Sequence, residues 1–336
     1  MQSNPHARRQ MQAGIETWPT KAPFHITGYT FTAFEAVVVT LQEGEHIGRG
    51  EGLGVYYRND TPASMLAQIE ALRPRIEAGL TRDELQRLLP AGGARNALDC
   101  ALWDLEAKRG GEPVWKLAGQ QAPHPLLTTF TVSADQPSVM ARDAVAYTQA
   151  RAIKLKLTGD AHNAERVRAV RAARPDVWLM VDANQGLTRE TFAELLPTLL
   201  ETRVDVVEQP FPVGNEAWLD GLERRIRIAA DESVQDRSDL SKVVGRVDIV
   251  NIKLDKCGGL TEALALATEA RRLGFDLMVG NMSGSSLAMA PSFLVGQLCE
   301  VVDLDGPTFL TTDRTPAATY EDGKVWCPES LWGSPR

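Results

Sequence analysis

"VWLMVDANQG", residues Val177–Gly186, is an apolar run that breaks abruptly into Asp182, Asn184, Gln185 and a glycine. Read as a strand, it carries Asp182 and Asn184 on one side at its C-terminal end, because successive side chains alternate. A carboxylate taken out of water without a partner costs several kcal/mol, so Asp182 needs something to meet it. Seven similar stretches surround this one: "LLTTFTVS" from 126, "ARAIKLKL" from 150, "RVDVVEQP" from 203, "RIRIAADES" from 225, "VDIVNIKLD" from 247, "FDLMVGNM" from 275 and "LCEVVDLDG" from 298. Amphipathic segments separate the eight at intervals of roughly 22–26 residues. Strands alternating with helices imply right-handed crossovers and a parallel sheet. Eight such units predict an α/β fold, a closed barrel over residues 126–310, with active groups at the C-terminal ends of its strands.

The N-terminal part has a different texture. Residues 1–15 read as a flexible leader, and 16–125 as an α+β domain completed by the closing segment 311–336. "AFEAVVVTLQEGEHIGRGEGLG" from Ala33 is strand-like and turns at Gly44. In "ASMLAQIEALRPRIEAGL", Pro74 should end or kink a helix. Thr81 with Glu84 forms a capping box. Ala94, Ala97, Leu98, Ala101, Leu102 and Leu105 make one apolar stripe at helical spacing, ended by Gly110 and Gly111.

Bulk composition narrows the function classes. The 336 residues are 43% hydrophobic and carry a net charge of −8 with the acids dispersed, which argues against nucleic acid or an anionic membrane as partner. The leader has no apolar core, so no signal peptide is expected, and no apolar run approaches a membrane span. Cys100, Cys257, Cys299 and Cys327 are far apart, fitting a reducing cytoplasm better than a disulfide framework or zinc site. The expected partner is a small molecule; a homo-oligomeric state is left open.

Asp182, Glu208 and Asp231 end the third, fourth and fifth strands, 26 and 23 residues apart. A barrel gathers them at one mouth, where three unpaired acids would repel. A divalent cation resolves this, and an all-oxygen set favours Mg²⁺ over softer metals; the alternative is three acids capping helix N-termini. Lys154 and Lys156 share one side of the second strand. Two interior ammonium groups about 7 Å apart would repel by ~2 kcal/mol and push one pKa toward that of a usable base; otherwise they lie on an exposed strand edge. Lys253 ends the sixth strand, across the barrel from Lys156, the placement for moving a proton between two faces of a carbon.

"IKLKL", "VDANQG", "VEQP", "AADES" and "NIKLDKCGG", in this order and spacing, resemble the enolase superfamily, muconate-lactonizing-enzyme subgroup. "GGEPVWKLAG" from Gly110 is similar to that family's passage from capping domain to barrel. "VVDLDGP", with Asp303 and Asp305, resembles the D-x-D of dipeptide epimerases, and "PAGGARNALDCALWDL" is close to bacterial L-Ala-D/L-Glu epimerases. The resemblance implies a modified (β/α)7β TIM barrel with a capping domain and a Mg²⁺-dependent isomerase. Asp182, Glu208 and Asp231 would bind the metal, and Lys156 and Lys253 would be the two bases. Lys154, Asp303, Asp305, Asp255, Met282 and Tyr29 would touch substrate, with Asn184, Glu232 and Lys256 behind them and Asp255 paired to Lys256. A role in murein peptide metabolism follows by analogy.

The first capping loop, "PFHITGYTFTAFEA", has no Arg or Lys to meet a glutamate side chain, leaving Arg58 as a substitute or the aromatics as an apolar pocket. Other lysine-base members of the superfamily, such as an N-acylamino acid racemase, o-succinylbenzoate synthase or muconate cycloisomerase, would have less use for Asp303 and Asp305. A Schiff-base aldolase and a non-catalytic binder are further alternatives.

Overall fold

A computed structural model describes residues 8–222 and 225–335; the first seven residues of the expected leader lie outside it. The leader is shorter than its sequence suggests. Strand β1 (Gln10–Ile26) already begins at Gln10 and pairs antiparallel with β2 (Tyr29–Glu43), which turns through Gly44 into β3 (His46–Gly52). The alternation of Met11, Val37, Val39 and Leu41 gives this sheet one apolar face. That face packs on the helix α4 (Gly93–Gly110), whose stripe Ala94, Ala97, Leu98, Ala101, Leu102 and Leu105 is buried there. Gly50 shows why β3 is glycine-rich: a Cβ would lie 2.1 Å from the Ala97 carbonyl oxygen, so only a bare backbone lets the helix approach. Three short helices come between, α1 (Pro62–Ala71), α2 (Arg73–Glu77) and α3 (Arg82–Leu88). Pro74 sits in the first turn of α2, after α1 has ended, and Thr81 and Glu84 cap α3 reciprocally.

"LLTTFTVS" divides in two, contrary to its reading as one strand. Leu126–Leu127 (β4) pairs with the C-terminal hairpin β13 (Thr319–Glu321) and β14 (Lys324–Trp326). The barrel proper starts at β5 (Thr129–Val132) and continues through β6 (Ala152–Lys156), β7 (Trp178–Asp182), β8 (Val206–Glu208), β9 (Arg227–Ala230), β10 (Ile249–Ile252), β11 (Asp276–Val279) and β12 (Val301–Val302), all parallel. After β8 the expected helix is, among the described residues, only a 3-10 turn, Glu216–Leu219.

Among the described residues no backbone ladder joins β12 to β5. Side chains close that seam. The Thr128 hydroxyl receives the Leu304 N–H at 3.0 Å and donates to the Val302 carbonyl at 3.4 Å. Thr129 Oγ1 donates to Asp303 at 2.6 Å, and the Thr131 N–H donates to Asp305 at 2.6 Å.

The closing segment runs back over the first sheet: Arg314 pairs with Glu16 and buried Glu51, and the Trp332 indole donates to the Arg49 carbonyl. No described helix is long and apolar enough to cross a membrane, and the four cysteines are free.

Candidate active site

Outward-facing Ile153 and Leu155 join the shell between strands and helices, whereas Met180, Val206, Ala229, Ile249, Met278 and Val301 fill the barrel interior. Side chains two residues further along a strand point the same way. Those residues are Asp182, Glu208, Asp231, Asn251, Gly280 and Asp303, so one strand period lifts the interior from an apolar layer to a polar one. The ladder sets Lys156 beside Asp182 and Asp182 beside Glu208. Gly280 leaves room: a Cβ there would lie 2.8 Å from Asn251 and 2.9 Å from the Lys253 stem.

Lysines and acids interlock in this layer. Lys154 Nζ lies 3.0 Å from Asp182, 2.7 Å from Glu208 and 2.9 Å from Asp303. Lys156 Nζ donates to Asp182 at 2.6 Å and to Asn184 at 3.1 Å. Lys253 Nζ is 2.5 Å from Asp231. Asn184 donates to Glu232 at 3.3 Å. Asn251, which sequence reasoning passed over, donates to Glu208 at 2.7 Å. Gln209 was also missed; its Oε1 accepts the Asp231 and Ser233 amides and fixes the end of β9.

Three expectations change here. Asp255 and Lys256 are not paired. Asp255 Oδ1 instead accepts the Leu53 and Gly54 amides and Asn96 Nδ2, anchoring the second capping loop, and it does not line the cavity. Lys256 donates to the carbonyls of Asp231, Val234 and Asn251 and lies 2.7 Å from Asp231 Oδ1. Lys154, one of the two lysines of which one is expected to be lowered, is shifted the other way, as is Lys253. Burial lowers each, but the charges of Asp182, Asp303 and Glu208 around Lys154, and of Asp231 and Glu208 around Lys253, outweigh it and hold both well above the ordinary value. Tyr29 is 43% exposed and stacks on Phe31 without lining the cavity.

Among the described residues no three acids stand at metal-ligand spacing, because lysine ammonium groups lie among them. The donor chemistry still suits a hard cation. Six buried carboxyls (Asp182, Glu208, Asp231, Glu232, Asp303, Asp305) meet four buried lysines (154, 156, 253, 256), an excess of two negative charges. Burial, then neighbouring Asp182, raises Glu208 to about 7, and burial, then Asp231, raises Glu232 to about 8. Glu208 Oε2, Asp231 Oδ1 and Glu232 Oε2 are buried and accept no hydrogen bond. The first two do lie at ion-pair distance from Lys154 and Lys256, out of line for a bond.

Above this layer a cavity of about 290 Å³ opens between barrel and capping domain. Lys154, Lys156, Lys253, Asn184, Asp303, Asp305 and Met282 lie on its barrel side, and Phe24, Phe31, Phe34, Leu53 and Tyr56 on its capping side. Burial, then Asp303, raises the Asp305 carboxyl to about 7.

Residues 10–119 match the model of the mandelate racemase/muconate lactonizing enzyme N-terminal domain, and 138–331 match the enolase C-terminal domain-like model. The L-Ala-D/L-Glu epimerase of Escherichia coli is 43% identical over 94% of this chain and 99% of its own. The N-acetyl-D-glutamate racemase of a Pseudoalteromonas species is 38% identical over 88% and 95%. A crystal structure of an Agrobacterium tumefaciens enolase family member with homology to dipeptide epimerases, bearing sodium and L-Ala-L-Glu, superposes at TM-score 0.94 with 42% identity, covering 97% of this chain and all of that one. Dipeptide epimerases solved with magnesium and a dipeptide also share the fold, that of Methylococcus capsulatus at TM-score 0.84 with 30% identity, over 96% of this chain and 97% of that one.

Proposed function

The chain belongs to the enolase superfamily, in its mandelate racemase/muconate lactonizing enzyme family, and on that premise we propose that it is an isomerase that epimerises dipeptides at the C-terminal residue. One observation carries this reading. Lys156 and Lys253, from the second and sixth of eight barrel strands, line a single cavity that also holds Asp303 and Asp305. Asp182, Glu208 and Asp231 would hold Mg²⁺. When bound, the ion would offset the surplus carboxylate charge and draw electron density from the substrate carboxylate.

Lys156, or Lys253 if the ion relieves the Asp231 and Glu208 charge that holds it protonated, takes the α-proton as the neutral amine, and the C–H electron pair moves into the substrate carboxylate. Lys154 meets the charge that develops there. The opposite lysine, already an ammonium, returns a proton to the other face and inverts the centre. Asp303 and Asp305 receive the dipeptide's ammonium group, which is why a dipeptide suits the site better than an N-acylated amino acid. The free cysteines support a cytoplasmic location.

The test is incubation of L,L-dipeptides with the protein and Mg²⁺ in deuterated water, following α-proton exchange and the second diastereomer. Faster exchange from N-acetylated amino acids than from any dipeptide would favour the racemase activity of the Pseudoalteromonas relative instead.

A further inference from the structure

The capping side of the cavity is a continuous run of rings. Phe309, four residues past Asp305, lies 4.7 Å between centroids from Phe24, and Phe24 lies 6.3 Å from Phe34. Phe34 is 5.4 Å from Phe31, and Phe31 is 5.4 Å from Tyr56. The cationic residues lining the cavity, among those described, are Lys154, Lys156 and Lys253, all on the barrel side and all engaged with acids. Charge on the capping side is negative: Glu35, and Asp60, whose Oδ2 accepts the Gly93 amide at 2.7 Å. Arg58 is exposed and outside the lining, and His25 Nδ1 is engaged with Thr30.

The tetrahedral α-carbon connects these facts to a substrate, on the dipeptide reading above. Its hydrogen points to one lysine, its carboxylate to Lys154, and its amide nitrogen toward Asp303 and Asp305. The remaining substituent, the side chain, faces the rings. A carboxylate there would lose its water against phenyl groups and two acids with no counter-charge, whereas an apolar side chain is driven into such a surface. We infer that the epimerised residue is apolar, the substrates being dipeptides of the L-Ala-L-Leu and L-Ala-L-Phe kind, not acidic or basic ones.

The experiment compares L-Ala-L-Leu, L-Ala-L-Phe, L-Ala-L-Glu and L-Ala-L-Lys with the full-length protein and Mg²⁺ in deuterated water. One methylene in an apolar pocket is worth roughly 10–200-fold in kcat/KM, so the first two should exceed the charged pair by at least about tenfold. Phe31→Arg should raise the Glu-to-Leu ratio by about tenfold or more, Phe31→Leu should leave it within about threefold, and Arg58→Ala should not change it. Equal or better turnover of L-Ala-L-Glu or L-Ala-L-Lys by the unaltered protein would overturn the inference while leaving epimerisation intact. A selective loss of L-Ala-L-Glu turnover in Arg58→Ala would overturn it too, by showing that Arg58 swings in to pair with the acid. Absence of exchange from all four would bring down the dipeptide reading itself, and this inference with it.

Discussion

Lys253 and Phe31 line the same cavity, yet their surroundings obey different physics. Lys253 stands in a buried layer where every charge depends on its neighbours: removing one partner strands another without water. Phe31 is half-buried in a chain of ring contacts, where each contributes a modest, separable amount. The barrel side should therefore fail as a unit when changed, and the capping side should shift by degrees. On the proposed reading different elements supply chemistry and selectivity, so the two should vary independently.

The sharpest way to break this contrast is at the barrel side. Lys156→Ala and Lys253→Ala should each lower epimerisation by about 10³-fold or more, with one variant keeping α-proton exchange from a single diastereomer. Full activity in either would end the two-base assignment. Chelation by EDTA should abolish turnover and added Mg²⁺ restore it; turnover indifferent to chelator would remove the cation from the scheme. Asp303→Asn comes next: a hydrogen bond to a charged group is worth about 1.5–3 kcal/mol, so dipeptide kcat/KM should fall about 10–150-fold. N-acetylated substrates, which present no ammonium, should lose only what freeing Lys154 from Asp303 costs both kinds, and an equal loss would deny Asp303 that role.

Much of the barrel layer was legible because a parallel barrel turns spacing into position. Asp182, Glu208 and Asp231 came into register from intervals in the chain, and the period-two rule put Lys154 and Lys156 on one side. What escaped depends on neighbours remote in sequence. Mutual repulsion and burial predict a lowered pKa at Lys154 or Lys156, whereas Asp182, Glu208 and Asp303, from three other strands, set the sign for Lys154. The family resemblance places Asp255 at the site, as a partner of Lys256. Its helix start turns it toward Leu53, Gly54 and Asn96, which no local pattern reveals. Tyr29 was drawn to the cavity by its loop, but Tyr56 and Phe31 stand there instead.

Asp255 offers a subtler probe of the two sides, since it leaves β10 yet anchors the capping loop. Asp255→Ala should raise KM by about tenfold while changing kcat less than about threefold, because it frees two amides that shape the capping side. A kcat loss equal to that of Lys253→Ala would place Asp255 in the chemistry.

A baseline away from both sides is Asp99, buried between α4 and the barrel, where it accepts hydrogen bonds from Thr261 and Gln86. Burial raises its carboxyl to about 6. A folded-state pKa above the unfolded one favours folding where the group is protonated. Its contribution is therefore complete below about pH 4 and lost as pH rises through 6, on the order of 2–3 kcal/mol. Urea midpoints for the protein and Asp99→Asn across pH 4–7 should diverge by that trend; parallel midpoints would contradict it.

The seam between β12 and β5 adds a mechanical consequence. Seven strand junctions are sewn by main-chain bonds, but this one is buttoned by Thr129 on Asp303 and by the Thr131 amide on Asp305. On the proposed reading the carboxylates that fasten the hoop are also those that receive the ammonium, so occupancy and fastening would be linked. A dipeptide held there would share Asp305 with the Thr131 amide, which puts the ligand one hydrogen bond from the backbone of the barrel's first strand.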